Sequence, residues 1–176
     1  MTAIAWDGTQ LVCDRAEFAG NQKFENCKLV LFHNNPDGRS YMFAGCGDTV
    51  NIAAVVDWIR KGFTDKPNCE RTDTLNAGAS VGILVDDKGK AFNVYPTGHM
   101  EPVYGPFTAD GSAHEFLMGC LASGTSARKA VELAVKHRAD AGFGVDSFFW
   151  EDLQSYTAID QARKHFNKSI VLGERE

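Results

Sequence analysis

The stretch TAIAWDGTQLVCDR, residues 2–15, predicts that the chain opens with a pair of β-strands. A short apolar strand is expected over residues 2–6, and a return strand over residues 10–14. Between them stands Asp7-Gly8, a pair that suits the tight turn of a hairpin. The amino terminus is therefore expected to start a sheet.

The rest of the chain predicts further hairpins separated by helices. Apolar runs bounded by turn residues predict strands at residues 28–33, 41–44, 81–85, 91–95 and 145–150. Apolar positions at helical spacing predict helices at residues 48–62, 113–122, 126–137 and 158–166, with Asp48 and Ser126 as caps. Residues 17–26 are a polar stretch, residues 96–111 are a stretch with Pro and Gly, and residues 64–80 are either a loop or part of a helix pair. This order predicts one α+β domain over residues 1–176, in which helices cover predominantly antiparallel sheets.

Composition and charge exclude several classes of protein. With 44% hydrophobic and 23% charged residues over 176 positions, the chain has the profile of an ordinary globular protein. Its net charge of −5 would repel a phosphate backbone, so nucleic acid is not expected as a partner. No segment reaches the roughly 18 uninterrupted apolar residues that cross a bilayer, and no signal-peptide pattern opens the chain. Neither a membrane span nor export by that route is expected.

The cysteines and histidines form no metal or disulfide pattern. The five cysteines are an odd number, and none belongs to a Cys-x-x-Cys pair, which argues against a disulfide framework and a zinc site. The five histidines include no pair at metal-ligand spacing on one helix. No cofactor is therefore expected, and unpaired thiols favour a reducing cytoplasm.

Gly45-Cys46-Gly47 is a glycine turn between a predicted strand and a predicted helix. Such a turn invites a nucleotide-binding interpretation, because amides at a helix start can bind phosphate. Val50 stands where the third glycine of that motif would fall, and Asp48 would meet a pyrophosphate with like charge. A plain glycine turn is therefore favoured over a nucleotide site, and the N–H groups that such a turn exposes can stabilise an oxyanion instead.

Thr2 offers a nucleophile and a base in one residue. Once Met1 is removed, the Thr2 hydroxyl has beside it an α-amino group, whose ordinary pKa is about 7.7 to 8.0. Such an amine can act as the base for its own hydroxyl near neutral pH. The branched Cβ of threonine also restricts its rotamers, so the hydroxyl is aimed at a lower entropic cost than that of serine. Many chains begin Met-Thr without using the threonine, so the terminus alone is a weak signal.

Four separated segments of the chain resemble the proteasome β-subunit family of N-terminal-nucleophile hydrolases, especially its bacterial HslV type. They are TAIAWDGTQLVCDR at residues 2–15, CKLVLF at 27–32, FAGCGD at 43–48 and DGSAHEFLMGCL at 110–121. The joint order and spacing of these segments are more specific than any single match.

This resemblance implies a role for one residue in each segment and for Asp14. Thr2 occupies the position of the nucleophile, Asp14 that of the acidic residue closing the second strand, and Lys28 that of the catalytic lysine. Gly45 would donate its N–H to the oxyanion, and Ser112 would hydrogen-bond near the terminal amine.

The resemblance also implies a fold and an activity. The expected fold is a four-layer αββα sandwich of antiparallel sheets. The expected activity is that of a threonine endopeptidase, which cleaves unfolded polypeptides or peptides inside a closed homo-oligomeric ring. An ATP-dependent unfoldase is a further expected partner.

The chemistry of the residue types agrees with these roles. Lys28 near the α-amine would lower the pKa of that amine by like charge, and Asp14 would keep Lys28 charged and oriented. The expected cycle is attack of the Thr2 hydroxyl on a peptide carbonyl, an oxyanion at Gly45, an acyl-enzyme ester and its hydrolysis by water. Two other functions stay open. One is an inactive structural subunit, if Met1 is retained, and the other is an amidase of the same nucleophile class that acts on small amides.

One segment departs from the family pattern. Around KHRADAGFGV, residues 136–145, the family usually has an aspartate followed by a small hydroxyl residue and two glycines. Arg138 stands at the expected aspartate position, and Asp140 would match only in a shifted register.

Overall fold

The computed structural model describes residues 2–19, 22–69 and 79–155, which form a mixed α/β structure with antiparallel sheets. The strands are β1 (Ile4–Trp6), β2 (Gln10–Asp14), β3 (Ala16–Ala19), β4 (Gln22–Glu25), β5 (Leu29–Phe32), β6 (Tyr41–Gly45), β7 (Gly82–Asp86), β8 (Ala91–Val94), β9 (Met100–Pro102), β10 (Thr108–Asp110) and β11 (Val145–Phe149). The helices are α1 (Thr49–Arg60), α2 (His114–Ala122) and α3 (Ala127–His137), and residues 150–155 are also helical. The expected mixture of helices and antiparallel sheets is confirmed. The predicted helix at residues 158–166 lies outside the described residues, as does part of the segment 64–80.

The opening hairpin belongs to a four-stranded sheet with the order β10-β1-β2-β11. As the Asp7-Gly8 turn predicts, β1 pairs antiparallel with β2, and Ile4 lies opposite Cys13. Helices α2 and α3 cover the face of this sheet that carries Ala3, Ala5 and Val12. Because these side chains are small, the helices can approach the sheet closely.

The second large sheet has five antiparallel strands in the order β5-β6-β7-β8-β9. One of its faces carries Phe43 and Leu84, which form an apolar cluster with Val55, Trp58 and Ile59 of α1. Helix α1 starts where the sequence predicts, because the Asp48 side chain accepts a hydrogen bond from the Val50 N–H and caps the helix.

The remaining faces of the two large sheets share a third apolar cluster. It contains Ile4 and Leu11 from the first sheet and Met42, Ile83 and Val85 from the second, all fully buried. Neighbouring residues of a strand point to opposite faces of its sheet. The central strand β6 therefore contributes to two clusters at once, which explains why its sequence is apolar throughout.

Four strands were not expected from the sequence. The hairpin of β3 and β4 lies in the stretch that the sequence marks only as polar, and every residue of β4 is exposed. An exposed strand needs no apolar alternation, so the pattern gives no signal there. Strands β9 and β10 have three residues each, and they are defined by pairing with β8 and β1.

Two further findings concern the helices of the described part of the chain. Helix α3 begins after Ser126, whose side chain accepts a hydrogen bond from the Lys129 N–H, as its predicted cap should. Among the residues described, no helix combines the length and the apolar character needed to cross a bilayer.

The cluster between the two large sheets yields a stability prediction. Replacing Ile83, which is fully buried there, by alanine leaves a cavity that the surrounding β-strands cannot close. We expect Ile83→Ala to lower the free energy of unfolding by about 2–5 kcal/mol in urea titrations. Tyr104→Ala is the control, because that side chain is 91% exposed and its loss should cost about 0.5 kcal/mol or less. Equal losses for the two variants would contradict the described packing.

Candidate active site

Thr2 lies just before β1 and is almost fully buried, at 4% exposure. Its carbonyl oxygen accepts hydrogen bonds from the Ala113 N–H at 3.3 Å and the Ser112 hydroxyl at 3.4 Å. Gly111 makes this approach feasible, since a Cβ there would stand 2.2 Å from the Thr2 carbonyl oxygen. The turn before α2 therefore holds the beginning of the chain against the first sheet.

The side chain of Lys28 connects the Thr2 hydroxyl with Asp14. Its Nζ donates to Thr2 Oγ1 at 3.1 Å and to Asp14 Oδ1 at 2.8 Å. The Lys28 side chain is 9% exposed and that of Asp14 is fully buried. Lys28 comes from the start of β5 and Asp14 from the end of β2, so the packing of the two sheets brings the pair together.

Both carboxylate oxygens of Asp14 are fully used. Besides Lys28, Oδ1 accepts the Ala3 N–H at 3.0 Å, while Oδ2 accepts the N–H groups of Ala16 at 3.2 Å and Gly142 at 3.1 Å. A buried carboxylate is tolerated only when such donors replace the water that it has lost. Asp14 is thus a structural junction as well as the partner of Lys28.

A second set of polar side chains, those of Ser112, Asp140 and Arg138, lies on the side of the Thr2 backbone nitrogen. That nitrogen donates to Ser112 Oγ at 3.0 Å. Ser112 in turn hydrogen-bonds the Asp140 carboxylate, and Arg138 donates to both oxygens of Asp140 at 2.8 Å. The hydrogen bonds from Arg138 lower the pKa of Asp140 to about 2, against an opposing effect of burial. The aspartate beside Ser112 is therefore residue 140, in the register that the sequence pattern alone disfavoured.

The backbone N–H of Gly45, expected to hold an oxyanion, is engaged within the protein. It donates to the Lys28 carbonyl oxygen at 3.3 Å, at the end of the β5–β6 ladder. A Cβ at Gly45 would stand 2.7 Å from a methyl group of Ile52, so this position requires glycine for space. An oxyanion at Gly45 would have to compete with the Lys28 carbonyl for this donor.

A cleft opens next to the Thr2 hydroxyl. Its volume is about 110 Å³, and its walls join residues of β3, the β4–β5 connection and the start of α1. The lining residues are Thr2, Glu17, Phe18, Asn26, Cys27, Lys28, Val30, Gly45, Gly47, Thr49 and Ile52. Glu17 and Asn26 could not be predicted as cleft residues, because residues 17–26 have only the pattern of a polar stretch. Thr49 gave no signal either, because it follows the Asp48 cap as an ordinary first residue of a helix.

The described residues contain neither a metal-binding cluster nor a disulfide, although Cys27 lines the cleft. In the part of the chain that the structure covers, no cluster of three His, Cys, Asp or Glu side chains could hold a metal ion. All five cysteines are free thiols. Burial raises the pKa of Cys13 and of Cys46 well above that of an ordinary thiol, so neither is suited to act as a thiolate.

Comparison with known proteins relates this geometry to a fold. No protein-family model matches the sequence, and no curated protein is similar enough to match it. The chain is similar in structure to an Anbu (Gly-1) mutant from Hyphomicrobium sp. strain MC1, with 15% identity, a TM-score of 0.64, and coverage of 96% of this chain and 97% of that one. The Pseudomonas aeruginosa Anbu complex, solved as a helical assembly, has 12% identity, a TM-score of 0.61 and coverage of 97% and 95%.

A third similar structure is Thiobacillus denitrificans BPH in complex with epoxomicin. It has 14% identity and a TM-score of 0.54, and the match covers 84% of this chain and 96% of that one. At these identities the similarity shows the fold alone.

The comparisons correct the expected likeness to HslV. The Yersinia bercovieri Anbu is described as an ancestral beta-subunit, and Anbu proteins are distinct from HslV. The HslV assignment is therefore wrong. The expectation of an ATP-dependent unfoldase partner came with that assignment and loses its basis.

The Arg138–Asp140 contact predicts a titration result. Because the pKa of Asp140 is lowered to about 2 in the folded chain, its contribution to stability is present above the ordinary pKa of 3.8 and is lost as the pH falls through about 2. We expect Arg138→Ala to raise the pKa of Asp140 toward 3.8 in a ¹³C NMR titration of the carboxyl carbons. Arg128→Ala is a matched control, since Arg128 pairs with Glu132. An Asp140 pKa that stays near 2 in Arg138→Ala would refute the assigned cause.

Proposed function

We propose that this chain is a threonine endopeptidase in which Thr2, freed by removal of Met1, is the nucleophile. The observation that carries the proposal is the 3.1 Å contact between Lys28 Nζ and Thr2 Oγ1, with Asp14 Oδ1 2.8 Å from the same ammonium group. A preorganised cation stabilises the negative charge that develops on the hydroxyl oxygen during attack. Side chains of this kind, buried together around one hydroxyl, are suited to nucleophilic catalysis.

The Thr2 nitrogen acts as the base once it is a free amine. Lys28 disfavours the protonated form of an amine so close to it, because the two charges are alike. Ser112 Oγ, 3.0 Å from this nitrogen, orients it, and Asp140 orients the serine. Ser112, Asp140 and Arg138 are therefore positioning residues in this proposal.

The reaction then proceeds in two halves. In the first, Thr2 Oγ1 bonds to the carbonyl carbon of the substrate and its proton moves to the amine. The C–N bond of the substrate breaks, the departing nitrogen takes that proton, and an ester of Thr2 remains. In the second, the amine removes a proton from water, the resulting hydroxide attacks the ester, and Oγ1 recovers its proton.

The oxyanion of each half is held by backbone N–H groups of the turn that contains Gly45 and Gly47. Both glycines line the cleft beside Thr2. The Gly45 N–H exchanges its 3.3 Å hydrogen bond to the Lys28 carbonyl for one to the substrate oxygen. Peptide or unfolded polypeptide is the proposed substrate class, because the activated Thr2 hydroxyl would attack a peptide carbonyl placed in the cleft that Thr2 lines.

The proposal extends to the fold and the assembly. The helices α2 and α3, the four-stranded sheet, the five-stranded sheet and α1 form a four-layer αββα sandwich, one domain over residues 1–176. The three apolar clusters between these elements support it. Identical copies form a ring or helical assembly that encloses the nucleophile. The helical assembly of the Pseudomonas aeruginosa Anbu complex and the epoxomicin complex of BPH are consistent with an enclosed peptidase.

Removal of the nucleophile tests the proposed activity directly. We expect Thr2→Ala to lower peptide hydrolysis by roughly a millionfold, as loss of the nucleophile does in other hydrolases. Thr64→Ala is the control, because this exposed threonine lies far from Thr2 in the chain and outside the cleft. Mass spectrometry of the purified protein should detect the chain without Met1. Full activity in Thr2→Ala, or Met1 retained in active material, would refute the mechanism.

Lys28 provides a second test. We expect Lys28→Ala to lower kcat by roughly 100-fold to 1,000-fold, the usual cost of losing a preorganised electrostatic group. Because this change leaves Asp14 buried without its cation, thermal unfolding of Lys28→Ala is measured beside its activity, so that catalysis is separated from folding. We expect the variant to lose thermal stability but to lose turnover also at temperatures where it is still fully folded. Exposed Lys88→Ala is the control, and normal turnover in folded Lys28→Ala would exclude a role for Lys28 in catalysis.

A further inference from the structure

Glu17 brings a carboxylate into the cleft that contains Thr2, and the proposed reaction does not use it. Glu17 stands on β3, where it is half-buried, and it lines the cleft together with Thr2 and Lys28. A carboxylate beside a nucleophile affects which substrates bind, because its charge acts on the side chain that enters the cleft.

Two neutral donors hold the Glu17 carboxylate in position. The Thr49 hydroxyl donates to Oε1 at 3.0 Å, and the Asn26 side-chain amide donates to Oε2. Thr49 and Asn26 both line the same cleft. A carboxylate has about four sites that can accept hydrogen bonds, so these two donors leave acceptor capacity on Glu17 for a ligand.

Among the described residues, no lysine or arginine is paired with this carboxylate. Lys28, also in the cleft, is paired with Asp14 at 2.8 Å. Arg15, directly before β3, is paired with Asp146 at 2.6 Å. Within residues 2–19, 22–69 and 79–155, Glu17 forms no ion pair with a lysine or arginine. The negative charge at the cleft is therefore available to a cation from outside.

The remaining walls suit the stem of a long cationic side chain. Phe18, Val30 and Ile52 supply apolar surface in the cleft that Thr2 and Glu17 also line. Lysine and arginine side chains bury methylene groups against such surface and keep a charged end for a polar partner. An arginine guanidinium can also form two parallel hydrogen bonds with one carboxylate. A carboxylate of the substrate would instead meet like charge.

We infer that the cleft selects a lysine or arginine side chain on the residue whose carbonyl group Thr2 attacks. That side chain is the one closest to the nucleophile, and the cleft is lined by Thr2 itself. The inference deepens the proposed function and rests on it. Glu17 is then the residue that determines specificity, and Asn26 and Thr49 orient its carboxylate.

Three peptide substrates test this preference. They are acetylated tripeptide aminomethylcoumarin amides that differ only in their last residue, which is arginine, leucine or glutamate. We expect kcat/KM to be highest for the arginine substrate and lowest for the glutamate substrate. In Glu17→Gln, which keeps the size of the side chain but removes its charge, the ratio of kcat/KM for arginine over leucine should fall roughly tenfold to a hundredfold.

Glu25→Gln is the matched control for the charge change. Glu25 lies on β4 of the same hairpin but does not line the cleft, so its loss should leave the arginine-to-leucine ratio as it is. Glu17→Lys should reverse the order and favour the glutamate substrate. A preference of the unaltered chain for leucine or glutamate would overturn the inference, and so would a Glu17→Gln ratio equal to that of the unaltered chain.

A binding measurement separates this inference from the proposed function. Tripeptides that end in arginine or leucine are titrated into Thr2→Ala by calorimetry, with and without Glu17→Gln. Tighter binding of the arginine peptide than of the leucine peptide, lost in Glu17→Gln, would support the inference. If the chain with free Thr2 nevertheless cleaves no peptide, that second result would refute only the proposed peptidase activity. Equal binding of the two peptides would overturn the inference.

Discussion

The buried ion pair between Lys28 and Asp14 is the interaction on which the rest of this structure depends. A charge removed from water costs several kcal/mol in effect unless its hydrogen-bonding sites are satisfied. Asp14 meets this condition with the Lys28 ammonium and with N–H groups of Ala3, Ala16 and Gly142. One carboxylate thus fixes the start of β1, the start of β3 and the segment before β11. Displacement of any of these segments would leave the buried charge of Asp14 incompletely paired.

This constraint also organises the charges around Thr2. Lys28 and Asp14 neutralise each other on the hydroxyl side, while Arg138 and Asp140 neutralise each other near the backbone nitrogen. Lys28 still donates a hydrogen bond to the Thr2 hydroxyl, so neutralisation by Asp14 leaves it able to act there. Glu17 stands outside both pairs and lines the cleft, which is why we propose that its negative charge selects the incoming side chain.

Much of the fold could be predicted from local patterns. The β1–β2 hairpin and the caps Asp48 and Ser126 each depend on residues close together in the chain. The hairpin of β3 and β4 could not be predicted, because an exposed strand carries no apolar alternation. The sequence offered Asp140 only in a shifted register, because its position beside Ser112 depends on the path of the chain after α3 and on the hydrogen bonds that Arg138 makes.

By itself, the sequence determined the order of helices and strands and supplied a threonine near the chain start, an acidic residue, a lysine and a serine at separated positions. Only the tertiary structure decided which atoms meet. Thr2 and Ser112 are 110 positions apart, and their 3.0 Å hydrogen bond exists because β1 pairs with β10 immediately before the turn that carries the serine. Glu17 reached the cleft in the same way, through strand pairing. Local sequence preferences set the conformation of short segments, but distances between remote side chains follow from how whole sheets pack.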